Sequence, residues 1–250
     1  MLNGVYVNVQ LSECSLKLYV VVDTESTRDD MIPVHGLSLL LEVQSPKVFF
    51  RMLFGLGPSH SALINNLMRL GYRLSDIDII VLPMDSRGLI GSFREIMKEI
   101  SSVTLLSSPN VKVNFLTKNV VKVFNTTQIS DCCLILSPLG PRGELVLVVN
   151  TKLGLVLIIP CSHVGVVNVI KHVVSELKVK SVYGIVGGLH LSAYDVLTLN
   201  DLRSLSEDLN VRVIIPLYCT GIEARDKVLK LLKESYIHNI EVGCVLEYRF

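Results

Sequence analysis

The sequence predicts an α/β protein of two β-sheets packed face to face, with helices on their outer sides. Three observations lead there. Strand-rich stretches pass into alternating strand and helix, and this happens twice along the chain. Half of the 250 residues are hydrophobic, enough to fill a sizeable core. No low-complexity linker or short-period repeat interrupts them, so residues 1–250 read as one domain.

The first half opens with four β-like runs, "GVYVNVQL", "KLYVVVD", "LSLLLEV" and "KVFFRMLFG", separated by polar or Pro-containing breaks. A helix follows in "SHSALINNLMRLGY", with Leu63, Leu67 and Leu70 on one face, Ser59 or Ser61 as N-cap and Gly71 past its end. The short apolar run "DIDIIVLP" then reads as a buried strand, and "GSFREIMKEISS" as a helix with Phe93, Ile96, Met97 and Ile100 in register. Strands return in "VKVNFLT", "VVKVFN" and "CCLILS". The Gly/Pro-rich loop "SPLGPRGE" leads into a buried hairpin, "ELVLVVNTKLGLVLIIP", turning near Gly154. The last third alternates: helix "GVVNVIKHVVSELK", strand "SVYGIVGG", helix "LTLNDLRSLSEDLN", strand "VRVIIPLYC", helix "EARDKVLKLLKES" and strand "EVGCVLEYRF".

Composition narrows the function classes. With 24 basic and 23 acidic residues the net charge is +1, and no long run of either sign suggests nucleic acid or an anionic membrane surface as partner. A spanning helix needs about 20 uninterrupted apolar residues, and the most apolar region is cut by Asn150, Thr151 and Lys152. The N-terminus lacks a basic stretch ahead of an apolar one, so a cytoplasmic location is expected. Six cysteines without a CxxC pair argue against a disulfide framework. The lack of Trp and the wealth of Val, Leu and Ile suit a thermophilic source.

Three motifs in the C-terminal half, "PCSHVGVVNVI" (160–170), "GIVGGLHL" (184–191) and "YCTG" (218–221), resemble in order and spacing those of the metallo-β-lactamase superfamily. More narrowly they resemble its archaeal and bacterial branch of dihydropterin ribofuranosylaminobenzene-phosphate synthase-like hydrolases, which carries GCSHAGxxN, GGFHL and HCTG at these places. Upstream, "HGLSLLLEV" (35–43) and "LFGLGPSHSALINNLMRLGY" (53–72) resemble its HGLS strand and its LFDTG strand end plus Asn-Asn helix. The resemblance runs from about Lys17 to the C-terminus. It implies a four-layer αββα sandwich with a metal site at the sheet edges.

It also implies that the family's HxHxDH loop is degenerate here, since "MDSRGL" stands in its place. Position by position the ligands become Met84, Ser86, Gly88 and Leu89; Gly55 stands for the Asp of LFDTG and Tyr218 for the His of HCTG. None of these is a suitable ligand for a water-bridged metal pair. Asp85 lies one place out of register, so in an extended segment it aims to the other side. His163 and His190 remain, with Cys161 near in sequence, short of the donor sets zinc normally uses.

The candidate pocket therefore comprises His35, Asp85, Ser86, Cys161, His163, His190, Tyr218 and Thr220. "CSH" opens a helix: it either lines an anion site with free N–H groups or caps the helix through Ser162. Tyr218 reads as a hydrogen-bonding filler that replaces an imidazole and its metal with one ring. Cys161 and Cys219 read as packed thiols on the pocket floor, with a thiolate nucleophile beside His163 as the alternative. "Asp85, Ser86, Arg87" form either a polar contact patch or a solvated turn. His60, His172 and His238 fall outside the motifs.

Two function classes follow. The favoured one is a non-hydrolytic binding, scaffold or regulatory protein without a metal cofactor. The other is a hydrolase of phosphoester or pterin-like substrates, with a metal-free site or a single divalent metal, using His163 and His190. Expected partners are a second copy, another protein or a small anionic ligand, and neither nucleic acid nor membrane.

Overall fold

The computed structural model describes residues 11–26, 28–100, 102–112, 120–230 and 241–248. The predicted strand at 4–11 and most of that at 111–117 lie outside these residues, as does the end of the last predicted helix.

Strands β1 (Ser15–Val22), β2 (Ser38–Gln44) and β3 (Phe49–Phe54) form an antiparallel meander. Helix α1 (His60–Arg69) and a 3-10 turn (Leu74–Asp76) lead to β4 (Ile79–Leu82), and helices α2 (Arg87–Ile90) and α3 (Phe93–Glu99) to β5 (Thr104–Ser107) and β6 (Val120–Lys122). From β3 to β6 the pairings are parallel. Strands β7 (Thr127–Ser130), β8 (Cys133–Ile135), β9 (Leu147–Thr151) and β10 (Gly154–Ile159) begin the second sheet as antiparallel neighbours. Then follow α4 (Val166–Leu177), β11 (Gly184–Gly188), α5 (Val196–Asp208), β12 (Val213–Leu217), α6 (Ile222–Leu229) and β13 (Val245–Tyr248). The first sheet has the order β13-β1-β2-β3-β4-β5-β6, and the second β12-β11-β10-β9-β8-β7.

Side-chain alternation along the strands builds the layers. On β1, Leu16, Leu18 and Val20 face the second sheet, whereas Tyr19 and Val21 face the helical side. On β10, Val156 and Ile158 join that same inter-sheet core, and Leu155, Leu157 and Ile159 pack with Val166, Val169 and Ile170 of α4. Leu63 and Leu67 of α1 and Ile96 of α3 cover the outer face of the first sheet. Helices thus lie outside both sheets, as predicted: an αββα sandwich. Among the described residues no helix is long and apolar enough to cross a membrane.

Local chemistry settles several boundaries. Ser59 is the N-cap of α1, its hydroxyl accepting from the Ala62 N–H at 3.3 Å. The helix expected at 91–102 forms as α3 (Phe93–Glu99), and the turn expected before it contains a further short helix, α2. Gly91 lies against Pro58, and the Ser92 hydroxyl is drawn to the Leu56 carbonyl at 2.8 Å, which breaks the run. Strand β7 was not expected, because its residues "TQIS" have no apolar alternation; it is held by pairing with β8.

The parallel strands set the site. The carboxyl ends of β4, β10, β11 and β12 open into the loops that carry the candidate residues, the usual location for ligand sites in such sheets.

Candidate functional site

Residues 83–91, at the exit of β4, are clamped from below. The Leu37 N–H donates to the Gly88 carbonyl at 2.9 Å and the Leu56 N–H to the Leu89 carbonyl at 2.7 Å. Met84 (1% exposed) and Leu89 (0%) point into the inter-sheet core, in one cluster with Tyr218 and Cys161. Asp85 and Arg87 are exposed and Ser86 is half-buried. The Tyr218 ring fills the space beside Gly88, where a Cβ would lie 2.7 Å from its Cζ. Its hydroxyl is 3.4 Å from Ser86 Oγ, and its ring stacks at a tilt on His35, with centroids 5.0 Å apart. Burial raises the Tyr218 phenol pKa above its usual value.

A second group gathers at the ends of three neighbouring parallel strands. Cys161, His190 and Cys219 each stand two residues beyond the end of β10, β11 and β12 respectively. The loops beyond these strand ends turn inward, and the three side chains converge. Cys161 Sγ lies 2.8 Å from Cys219 Sγ, 3.4 Å from His190 Nδ1 and 3.9 Å from His163 Nε2. The two imidazoles are 4.7 Å apart between centroids. Gly188 permits the approach, since a Cβ there would sit 2.8 Å from Cys219 Sγ and 2.5 Å from the Pro160 carbonyl. The backbone at Ser162, His190 and Tyr218 has φ of 58, 51 and 51°, in the left-handed region that non-glycine residues adopt uncommonly.

Glu144, missed in the sequence reading, orients His163. Its fully buried carboxylate accepts from the His163 backbone N–H at 2.8 Å and from Nδ1 at 2.6 Å, both through Oε1, while Oε2 has no hydrogen-bond partner among the described residues. With Nδ1 donating, the lone pair is on Nε2, towards Cys161. The contact with Cys219, then burial, holds the Cys161 thiol pKa far above its usual value, which disfavours Cys161 as a thiolate nucleophile. Burial first, and then His163, lowers the His190 pKa.

The remaining expectations resolve structurally. Thr220 Oγ1 accepts from the Leu189 N–H at 3.0 Å, tying two strand ends together. Ser162 does not cap α4. Its hydroxyl donates to the Gly188 carbonyl at 2.9 Å, and the N-cap is Gly165 with no side-chain bond. His60 and His172 pair with Glu99 and Glu176, and His238 lies outside the described residues. A buried pair also went unforeseen. Asp23 (0% exposed) accepts from Arg225 at 2.7 and 3.1 Å and from the Tyr218 N–H at 2.6 Å, fixing the loop that presents Tyr218 and Cys219.

The architecture is the metallo-β-lactamase fold. The solved structure of a metal-dependent hydrolase of the β-lactamase superfamily superposes with a TM-score of 0.73 at 22% identity, over 94% of this chain and 100% of that one. The metallo-β-lactamase fold protein YhfI of Bacillus subtilis gives 0.64 at 10% identity, over 93% and 99% of the two chains. A metallo hydrolase of the archaeon Ignicoccus hospitalis gives 0.56 at 12% identity, over 94% and 99%. In sequence, the chain is similar to 7,8-dihydropterin-6-methyl-4-(β-D-ribofuranosyl)-aminobenzene-5′-phosphate synthase of Methanocaldococcus jannaschii, 24% identical over 86% of this chain and 90% of that protein, which supports the branch its motifs resemble. No protein-family model matches the chain.

Proposed function

We propose that this protein is a non-hydrolytic member of the fold, a binding or regulatory protein in which packed side chains replace the dinuclear centre. The observation that carries the reading is the Tyr218 ring set into the space beside Gly88. Gly88 and Tyr218 are matched, by resemblance, to an Asp and a His ligand; the first lacks a side chain and the second fills the gap. Met84 and Leu89, at two further ligand positions, are buried in the apolar core. A pair of metal ions does not fit there: it would need oxygen or imidazole donors where a thioether, an isobutyl group and a phenol ring now pack. In the segments that follow β11 and β12, Tyr194, Leu197 and Ile222 leave large apolar side chains exposed, which supports a binding role.

The test is turnover by the full chain with zinc or manganese supplied. Phosphomonoesters, phosphodiesters and lactones are expected to stay intact. Hydrolysis that His163→Ala abolishes, with the fold kept, overturns the proposal.

A further inference from the structure

We propose that Cys161, Cys219 and His190, with His163 beside Cys161, bind a single thiophilic divalent cation, zinc foremost. The proposal rests on the preceding reading in taking the dinuclear centre as lost, and it uses other atoms: two thiols in place of the missing loop ligands.

Geometry comes first. The donor atoms of Cys161, His190 and Cys219 lie within 4.8 Å of one another. Tetrahedral zinc with its ordinary bond lengths separates a sulfur from a nitrogen by about 3.6 Å and two sulfurs by about 3.8 Å. The two distances from Cys161 Sγ to imidazole nitrogens, 3.4 and 3.9 Å, bracket the first value. At 2.8 Å the sulfurs are closer than unbonded sulfurs pack. They are also well beyond the roughly 2.05 Å of a disulfide. Opening them by about 1 Å makes room for an ion. A disulfide would leave the two converging imidazoles without a role.

The surroundings supply a second, independent observation. A ligating histidine characteristically donates its other N–H to a carboxylate, and His163 donates Nδ1–H to Glu144 while aiming Nε2 at Cys161. Glu144 is fully buried, and among the described residues its Oε2 has no hydrogen-bond partner, so a buried oxygen acceptor beside His163 is left uncompensated. Two sulfurs and two nitrogens favour zinc over magnesium or calcium, which take oxygen donors. On binding, both thiols lose their protons to solvent and become thiolates; no electron moves. The ion would tie together the ends of β10, β11 and β12.

Cobalt(II) titrated into the reduced, chelator-stripped full chain reports directly on thiolate ligation. The expected result is one cobalt per chain, with a thiolate-to-metal charge-transfer band and the intense visible bands of a tetrahedral ion, both lost on adding zinc. Cys161→Ser and Cys219→Ser should each weaken the charge-transfer band and together remove it, while Cys14→Ser and Cys132→Ser leave it unchanged. Glu144→Gln should weaken affinity about 10–100-fold through His163. Should a cysteine variant fail to fold, His163→Gln, on a half-exposed side chain, still has to weaken binding. Absence of bound metal, a band that survives the double cysteine substitution, or a Cys161–Cys219 disulfide that persists in reductant would overturn the proposal and leave the non-hydrolytic reading standing. Two ions per chain, or phosphoester turnover, would instead overturn that reading.

Discussion

The Tyr218 phenol lies where a side chain on Gly88 would have to be, with Cζ 2.7 Å from the position of a Cβ there. The two residues are 130 positions apart and come from opposite sheets, yet each fits only because of the other. Gly88→Ala should therefore destabilise the protein by about 1–3 kcal/mol through overpacking. Tyr218→Ala should cost about 3 kcal/mol or more through the cavity it leaves. Combined, the two should cost less than their sum, with a coupling of about 0.5–3 kcal/mol in urea unfolding. Additivity would show that the ring does not occupy that space.

Asp23 and Arg225 hold the same loop from the other side. Arg225→Met strands a buried carboxylate and should cost about 3–5 kcal/mol. Asp23→Asn keeps an acceptor for the Tyr218 N–H but leaves the buried Arg225 guanidinium without its counter-charge, so it should cost a comparable amount. A near-neutral Asp23→Asn in thermal unfolding would contradict a charge-based clamp.

The 192–195 turn should loosen in acid. Asp195 accepts from the Ser192 N–H at 2.6 Å and from its hydroxyl at 2.8 Å, and these bonds hold its carboxyl pKa below the usual value. A lowered carboxyl pKa gives support that is complete above the unfolded-state value and lost as pH falls through the folded one. Ser192 amide exchange, corrected for its intrinsic pH dependence, should lose protection in that range, and Asp195→Ala should remove the pH dependence. Protection that persists unchanged in strong acid would contradict the assignment.

Helix α1 depends on its first turn. Ser59→Ala removes the acceptor for the Ala62 N–H and should cost about 1 kcal/mol, whereas Ser61→Ala should be near neutral. Chemical denaturation of the two variants separates them.

Much of the fold was legible because it is written locally. Alternation along "KLYVVVD" and "LSLLLEV" sorted side chains between core and helical layer, and the Gly154 hairpin and the α4 face could be read from period alone. Strand β7 was not legible, as polar residues carry no such period and the pairing with β8 makes it a strand. The break between α2 and α3 depends on Ser92 bonding to Leu56 across the chain, which no local pattern announces.

At the site, the residues that stand at the family's loop-ligand positions and the pocket histidines could be read from motifs, by resemblance. What escaped were partners distant in sequence: Glu144, 19 residues from His163, and Arg225, 202 residues from Asp23. Glu144 ends a Gly/Pro-rich loop just before an apolar run, a weak signal by itself. The nearness of Cys219 to Cys161, whose strands are separated by β11, depends on loop geometry and on the missing side chain of Gly188, which no local pattern announces.

The most direct test counts metal ions held by the full chain after equilibration with excess zinc or manganese and removal of loosely bound ions, and locates them by anomalous scattering. A centre replaced by packed side chains predicts at most one ion, beside Cys161 and Cys219 and away from Met84, Gly88 and Leu89. Two ions sharing a bridging oxygen next to residues 84–89 would contradict it.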